Sequence, residues 1–179
     1  RGLGDVYKRQ VYGLAKLMGG KKPFVNKLQM VFDEGLYDPA NEPDIAYAHL
    51  FSYFKGEEWR TQKETQRLLD KYFTTKPDGI PGNDDTGTMS AWAIFNMIGF
   101  YPDCPGLPEY ALTTPVFNKV TIRLDPKWYK ENELVIESNR TGSETLYINK
   151  VLLDGKKFNK YRITHDELVH GKRLIFDLK

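Results

Sequence analysis

Residues 81–98 read Pro-Gly-Asn-Asp-Asp-Thr-Gly-Thr-Met-Ser-Ala-Trp-Ala-Ile-Phe-Asn-Met-Ile, an acidic loop that runs directly into an apolar segment. The part from Ser90 to Ile98 is apolar on nearly every face, and Gly99 follows it as a helix stop. A helix that is apolar all round is buried on all sides, as in the inner ring of a helical barrel. The sequence therefore predicts a buried helix whose N-terminus carries the densest polar cluster of the chain.

The acidic loop in front of this helix is bracketed by Gly82 and Gly87, which permit backbone turns that other residues resist. The helix N-terminus places free N–H groups and the positive end of the helix dipole beside Asp84 and Asp85. This environment favours an ionised carboxylate, and such a group could take a proton from water as a general base. The alternative is that Asp84 and Asp85 only cap the helix.

A second polar cluster, Asp38-Pro-Ala-Asn-Glu-Pro-Asp44, is held extended by its two prolines. Asn41 and Glu42 supply hard oxygen ligands of the kind that calcium binds, and Asp44 could add a third. The alternative is a loop between two helices, with Asp44 as the N-cap of the second one. Trp59 lies between Gly56 and Gln62; an exposed Trp in a loop can stack on a sugar, although packing against a helix is more common.

The composition excludes several classes of protein. The 179 residues include 26 basic and 24 acidic side chains, and 40% of residues are hydrophobic, as in ordinary folded proteins. Residues 21–120 carry 10 basic and 14 acidic side chains, which argues against a nucleic-acid interface there. No apolar run approaches the ~20 residues of a membrane span. The single cysteine, Cys104, excludes an internal disulfide and a multi-cysteine metal site.

Hydrophobic periodicity divides the chain into a helical part and a strand-like part, near residues 105–118. Helices are predicted at 11–18, after Pro23, at 45–54 and from Thr61 to about Phe73, where Glu64 completes a capping box. Strands are predicted at 119–124, 133–137, 145–149, 151–153 and 174–178. Asp154-Gly155 predicts a tight hairpin turn, and Thr164-His-Asp-Glu167 predicts a second capping box with one helical turn.

Five motifs occur in one order along the chain. They are Asn41-Glu-Pro-Asp44, Trp59-Arg-Thr-Gln62, the stretch from Gly82 to Trp92, Gly99-Phe-Tyr-Pro102 with Cys104-Pro-Gly-Leu-Pro-Glu-Tyr110, and Thr164-His-Asp-Glu167. Together they resemble the C-terminal part of a glycoside hydrolase family 92 enzyme, the calcium-dependent exo-acting α-mannosidases. The resemblance covers the chain from about residue 11 to its end.

The resemblance implies an (α/α)6-barrel catalytic domain that follows an N-terminal β-sandwich domain. Residues 11–118 would be the last helices of the barrel, and residues 119–179 a β-rich C-terminal segment, so the fold class is α+β. Residues 1–10 have no initiator Met and no clear helical period. They resemble a translated sequencing-adapter scar, and we expect them to be a non-native artefact.

The resemblance also implies inverting hydrolysis of terminal α-mannose from glycans, as in N-glycan degradation. Asp85 matches the general base, Glu42 and Asn41 match the loop that holds Ca²⁺, and substrate contacts fall on Asn83, Asp84 and Trp59. The intact parent, if of the bacterial type, is expected to be periplasmic or secreted. Some family members have Asp where this chain has Asn83, and some have Gln at Thr88, so linkage preference or rate would differ.

Inverting glycosidases need two carboxyl groups about 6.5–9.5 Å apart, one acid and one base. By resemblance the general acid lies upstream of residue 1, so we expect the intact parent to be active and this chain alone to be inactive. Two alternatives stay open. One is a non-catalytic sugar-binding module on the same scaffold, and the other is a structural domain whose thermal stability does not respond to calcium.

Overall fold

The computed structural model describes residues 10–41, 44–142 and 145–179. The chain divides into two compact units, Arg1–Ala93 and Ile94–Lys179. The first unit is helical and the second is built mainly from strands, so the expected α+β class is confirmed. No helix among the described residues is long and apolar enough to cross a membrane.

The helical unit contains α1 (Val11–Leu17), α2 (Lys21–Asp33), a 3₁₀ helix (Tyr47–Tyr53), α3 (Glu58–Tyr72) and the first part of α4 (Thr88–Ile98). Its core is aromatic: Phe32 contacts both Tyr37 and Phe51, with ring centroids 5.1 and 5.9 Å apart. The Trp92 ring stacks on Phe73 at 5.4 Å. These contacts tie the helices together through large apolar rings.

The prediction that α3 begins at Thr61 is wrong, because the helix begins one turn earlier at Glu58. Thr61 is therefore an interior residue and is fully buried. The Glu64 carboxylate, also buried, accepts hydrogen bonds from Arg67 at 2.6 Å and from Gln29 of α2 at 3.0 Å. These side chains serve helix packing, and the apparent capping box at this point is coincidental.

The prediction that α4 is buried on all sides is also wrong for this chain. Met89, Trp92, Ala93 and Asn96 are buried, but Ala91 and Ile94 are exposed, Ile94 by 51%. The helix is apolar, as predicted, but one of its faces stays exposed because no other described residue covers it.

The strand-rich unit holds two sheets. Its strands are β1 (Phe100–Tyr101), β2 (Glu109–Leu112), β3 (Lys119–Arg123), β4 (Glu133–Arg140), β5 (Ile148–Leu153), β6 (Lys156–Phe158), β7 (Arg162–Thr164) and β8 (Arg173–Leu178). One sheet has the order β1-β2-β7, and the other has the order β3-β4-β8-β5-β6. In the larger sheet only the β4–β8 pair is parallel among the described pairings. Period-two alternation buries Leu174, Phe176 and Leu178 on one face of β8.

Local sequence signals in this unit are mostly confirmed. Asp154 and Gly155 adopt φ of +51° and +77° in the β5–β6 hairpin, as the two-residue turn requires. The separate strand predicted at 145–149 is wrong, because β5 runs unbroken from Ile148 to Leu153.

The second capping box is present at the start of α5 (His165–His170). The Thr164 hydroxyl accepts a hydrogen bond from the Glu167 N–H at 3.1 Å, and the Glu167 carboxylate accepts one from the Thr164 N–H at 3.0 Å. The latter bond is the main cause that lowers the pKa of Glu167, and Lys160 adds to it against the opposing effect of burial.

The Glu167→Gln variant removes the carboxylate charge and so tests how much that charge contributes to stability. A carboxyl with a lowered pKa stabilises the fold above its ordinary value of 4.5, and the stabilisation is lost as the pH falls through the lowered pKa. We expect the variant to have a lower free energy of unfolding than the unmutated 179-residue chain in urea at pH 7, and this difference to shrink at pH 3. A difference of equal size at both pH values would contradict this assignment.

Candidate functional site

The N-terminus of α4 is closed by Asp84. Its backbone carbonyl accepts the Met89 N–H at 3.1 Å, and its carboxylate oxygen Oδ1 accepts the Ser90 N–H at 2.8 Å. Two of the helix's first N–H groups are thereby satisfied by one residue. Asp84 therefore has the capping role that the sequence predicts as one of two alternatives.

Asp85 is held differently. Asp85, Thr86 and Gly87 have φ of +46°, +61° and +95°, so three consecutive residues lie in the left-handed region. This conformation is costly for a β-branched residue such as Thr86, and such strain concentrates at functional sites. The Asp85 carbonyl accepts hydrogen bonds from the Thr88 N–H at 3.3 Å and the Thr88 hydroxyl at 2.7 Å. The backbone is therefore fixed on both sides of the residue.

The Asp85 side chain, in contrast, is exposed. None of the hydrogen bonds between described residues ends on its carboxylate. The loop thus pairs a capping carboxylate with a neighbouring carboxylate that is free to meet a ligand. Asn83, just before them, is exposed as well.

The fold brings the second polar loop against this one. A Cβ atom built at Gly82 would lie 2.7 Å from the Ala40 Cβ, and Gly82 has φ of +72°. Only glycine fits this close approach without a shift of the neighbouring chain. Ala40 immediately precedes Asn41, so the contact places the two predicted polar clusters side by side within the helical unit.

The loop that carries Asn41 is organised around Asp44. The Asp44 carboxylate accepts a hydrogen bond from the Asp38 N–H at 3.3 Å, and the nearby side chains of Asn41 and Tyr47 favour its ionised form. Burial, with a smaller contribution from Asp38, raises the pKa of Asp44 despite these opposing effects. Burial and the nearby Asp44 charge raise the pKa of Tyr47. The N-cap alternative for Asp44 is wrong, since the 3₁₀ helix has Ala46 as its N-cap.

This arrangement bears on whether the loop suits a calcium ion. The Asn41 side chain supplies an amide carbonyl oxygen, a hard ligand of the kind that calcium binds. Glu42, the other predicted ligand, lies outside the described residues. Among the residues that are described, no group of three or more His, Cys, Asp or Glu side chains could hold a metal. The loop therefore fits part of a calcium coordination set, which needs six to eight oxygens.

Trp59 belongs to the first turn of α3 rather than to a loop. Its side chain is 39% exposed, and the guanidinium of Arg60 lies 4.5 Å from its ring centroid. Arg60 is in turn held by Glu57 at 2.9 Å and Gln29 at 2.7 Å. One part of the indole is thus supported by a fixed cation, while another part stays open to solvent.

Trp92 anchors the start of α4 to the segment that follows the Asn41 loop. Its indole N–H donates to the Ile45 carbonyl at 2.8 Å, and the side chain is buried. This bond and the proximity of Tyr47 to Asp44 were not predicted from the sequence. The three-residue spacing between Asp44 and Tyr47 is the sequence feature that could have predicted the proximity of their side chains.

The division of roles between the two aspartates predicts different effects on folding. Asp84→Ala removes the acceptor of the Ser90 N–H and should lower the free energy of unfolding by about 1 kcal/mol. Asp85→Asn keeps a residue that tolerates positive φ and removes no hydrogen bond between described residues, so its effect should stay below about 0.5 kcal/mol. Urea denaturation of both variants checks this; equal losses would contradict it.

The site and fold can now be compared with known proteins. Residues 6–179 match the model of the Glycosyl hydrolase family 92 catalytic domain. A family GH92 alpha-mannosidase from Bacteroides thetaiotaomicron has a TM-score of 0.81 and 32% identity, over 89% of this chain and 22% of that chain. A further structure of that mannosidase holds mannoimidazole. A family GH92 inverting mannosidase from the same species has a TM-score of 0.80 and 31% identity, over 94% of this chain and 26% of that chain.

A protein of Arthroderma benhamiae described as an uncharacterized secreted glycosidase is 29% identical over 161 residues, which are 90% of this chain and 20% of the relative. The chain thus spans 20% to 26% of the length of these relatives. The family model, the structures and this relative agree with the resemblance carried by the five motifs. The chain belongs to glycosyl hydrolase family 92.

Proposed function

We propose that this chain is part of a calcium-dependent, inverting exo-α-mannosidase that removes terminal α-mannose from glycans, with Asp85 as the general base. The observation that carries the proposal is the strained turn at Asp85, Thr86 and Gly87, which presents an exposed carboxylate beside a capped helix N-terminus. The similarity to two mannosidases supports the substrate class. The secreted relative supports export of the parent to the periplasm or the medium.

In this mechanism Asp85 takes a proton from a water molecule while the water oxygen attacks the anomeric carbon. The bond from that carbon to the glycosidic oxygen breaks, and the leaving oxygen receives a proton from a general acid. The attack comes from the face opposite the leaving group, so the configuration inverts. The general acid belongs to the part of the parent that this chain does not contain, and we therefore expect the chain alone to be inactive.

Asn41 and Glu42 would hold calcium, on a loop in which the Asn41 N–H donates to the Asp38 carbonyl at 3.1 Å and the Asp44 N–H donates to the Asn41 carbonyl at 2.9 Å. The chemistry that bound calcium would supply there is help in distorting the mannose ring toward an oxocarbenium-like transition state. Oxygen ligands fixed by a second set of hydrogen bonds lose less conformational freedom on binding. Asn83, the second carboxylate oxygen of Asp84, and the open part of Trp59 would contact the sugar.

The exposed apolar side chains suggest how the chain fits the parent. Leu17 and Leu36 are 87% and 60% exposed, and Ile94 on α4 is exposed too. We propose that residues 11–118 are the last helices of an (α/α)6 barrel whose other helices cover such side chains, and that residues 119–179 form the β-rich C-terminal segment. The apolar pattern of α4 would then suit the inner ring of the barrel.

Removal of the base in the intact parent tests the role of Asp85. General acid–base catalysis contributes about 10²–10⁴-fold to a rate, so Asp85→Asn should lower kcat on an α-mannoside by that factor with little change in KM. Asp78→Asn, an exposed aspartate on the preceding loop, is the matched control and should keep full activity. Full activity in Asp85→Asn would refute the assignment.

Metal removal tests the calcium site and separates the enzyme from the alternatives. The intact parent should lose activity with a chelator and regain it with Ca²⁺. Asn41→Ala should raise the half-saturating Ca²⁺ concentration at least tenfold. A sugar-binding module would instead bind mannose without hydrolysis, and a structural domain would show no effect of Ca²⁺ on its melting temperature. Either result would contradict the proposed function.

A further inference from the structure

The outer face of the larger sheet carries a groove of about 620 Å³, within the size range of ligand sites. Strand alternation buries Leu134 and Ile136 of β4 and turns Val135 and Glu137 outward, so the groove lies on the face opposite the core. Its charged lining comprises three cationic and three anionic side chains: Lys119, Lys172, Arg173, Glu131, Glu133 and Glu137.

Five of these six charged side chains form two ion-paired groups. Glu137 receives a 2.9 Å hydrogen bond from Nε of Arg173 and lies 3.7 Å from the Lys119 ammonium. Lys172 lies 3.4 Å from Glu131. Exposed ion pairs of this kind add little to stability. They leave a surface with no net charge but many fixed hydrogen-bond donors and acceptors, so neither an anion nor a cation is favoured as its ligand.

An exposed aromatic side chain lies on the loop that forms part of the groove. Trp128 is 73% exposed, on the loop between β3 and β4 that also supplies Glu131 and Asn132 to the lining. The loop is pinned at both ends, since the Trp128 N–H donates to the Asp125 carbonyl at 3.0 Å and the Leu124 N–H donates to the Asn132 carbonyl at 2.9 Å. Three residues span at most about 11 Å, so the Cα atom of Trp128 lies within that distance of the Cα atom of the groove residue Glu131.

We propose that this groove and Trp128 form a binding site for a neutral oligosaccharide. Sugar hydroxyls both donate and accept hydrogen bonds, which suits a charge-balanced lining of carboxylates, ammonium groups and a guanidinium. The apolar C–H face of a sugar suits the face of the Trp128 indole opposite the Lys127 ammonium, which lies 5.0 Å from the ring centroid. Because the loop hydrogen bonds and the bond from Arg173 to Glu137 order part of the lining, binding would cost less ordering entropy.

Calorimetric titration of the 179-residue chain with mannotetraose, cellotetraose and chitotetraose tests this site. We expect saturable binding of at least one of them, with an affinity that changes less than twofold between 0.1 and 0.5 M NaCl. Trp128→Ala and Asn132→Ala change exposed side chains, and each should weaken binding at least fivefold. Leu17→Ala, which also truncates an exposed apolar side chain, is the control and should leave binding unchanged, while Trp59→Ala reports any binding in the helical unit.

Three results would contradict the proposal. No binding of any of the three tetrasaccharides would overturn the proposal, as would tighter and steeply salt-dependent binding of an anionic heparin tetrasaccharide. Loss of binding in Trp59→Ala but not in Trp128→Ala would place the sugar in the helical unit and also overturn it. None of these results bears on Asp85, whose role is measured by hydrolysis in the parent.

Discussion

The hydrogen bond from the Ser90 N–H to the Asp84 carboxylate is the interaction on which the candidate site depends. It closes the N-terminus of α4 and fixes where the acidic loop meets the helix. With Asp84 committed to the cap, the chain must turn sharply through Asp85, Thr86 and Gly87, all at positive φ. The strain of this turn is offset by the stability of the helix and its buried Trp92. The turn presents an exposed carboxylate on a fixed backbone.

A second constraint joins this turn to the loop of Asn41. Gly82 approaches Ala40 so closely that a side chain would not fit, while Trp92 bonds the Ile45 carbonyl on the far side of that loop. The two contacts hold the loop at both ends against the start of α4. The proposed function needs such proximity, because the proposed base and the proposed calcium ligands would act on the same terminal sugar.

Features that depend on neighbours in sequence were predictable. The Thr164–Glu167 capping box and the Asp154-Gly155 hairpin follow from local hydrogen bonding and backbone preference alone. The start of α3 was missed, since Thr61 and Glu64 match a capping pattern but are buried inside the helix, where Glu64 bonds Gln29 of α2. The burial of α4 was overestimated, because a pattern shows which faces are apolar and not which partner covers them.

The candidate site was predictable only in pieces. The sequence singled out Asp84 and Asp85 together, and only the structure shows that one caps the helix while the other is free. The contact between Gly82 and Ala40 links residues 42 positions apart, and no local signal encodes it. The assignment of calcium to Asn41 and Glu42 came from the resemblance to the family, since oxygen side chains in a loop suit many roles.

The most direct measurement of the central claim is rescue of an Asp85→Ala variant of the intact parent by azide, a nucleophile that needs no general base. If Asp85 activates water, the variant is inactive in buffer, and azide restores turnover with β-mannosyl azide as the product of inversion. Formation of α-mannosyl azide, or full hydrolysis without azide, would contradict the account.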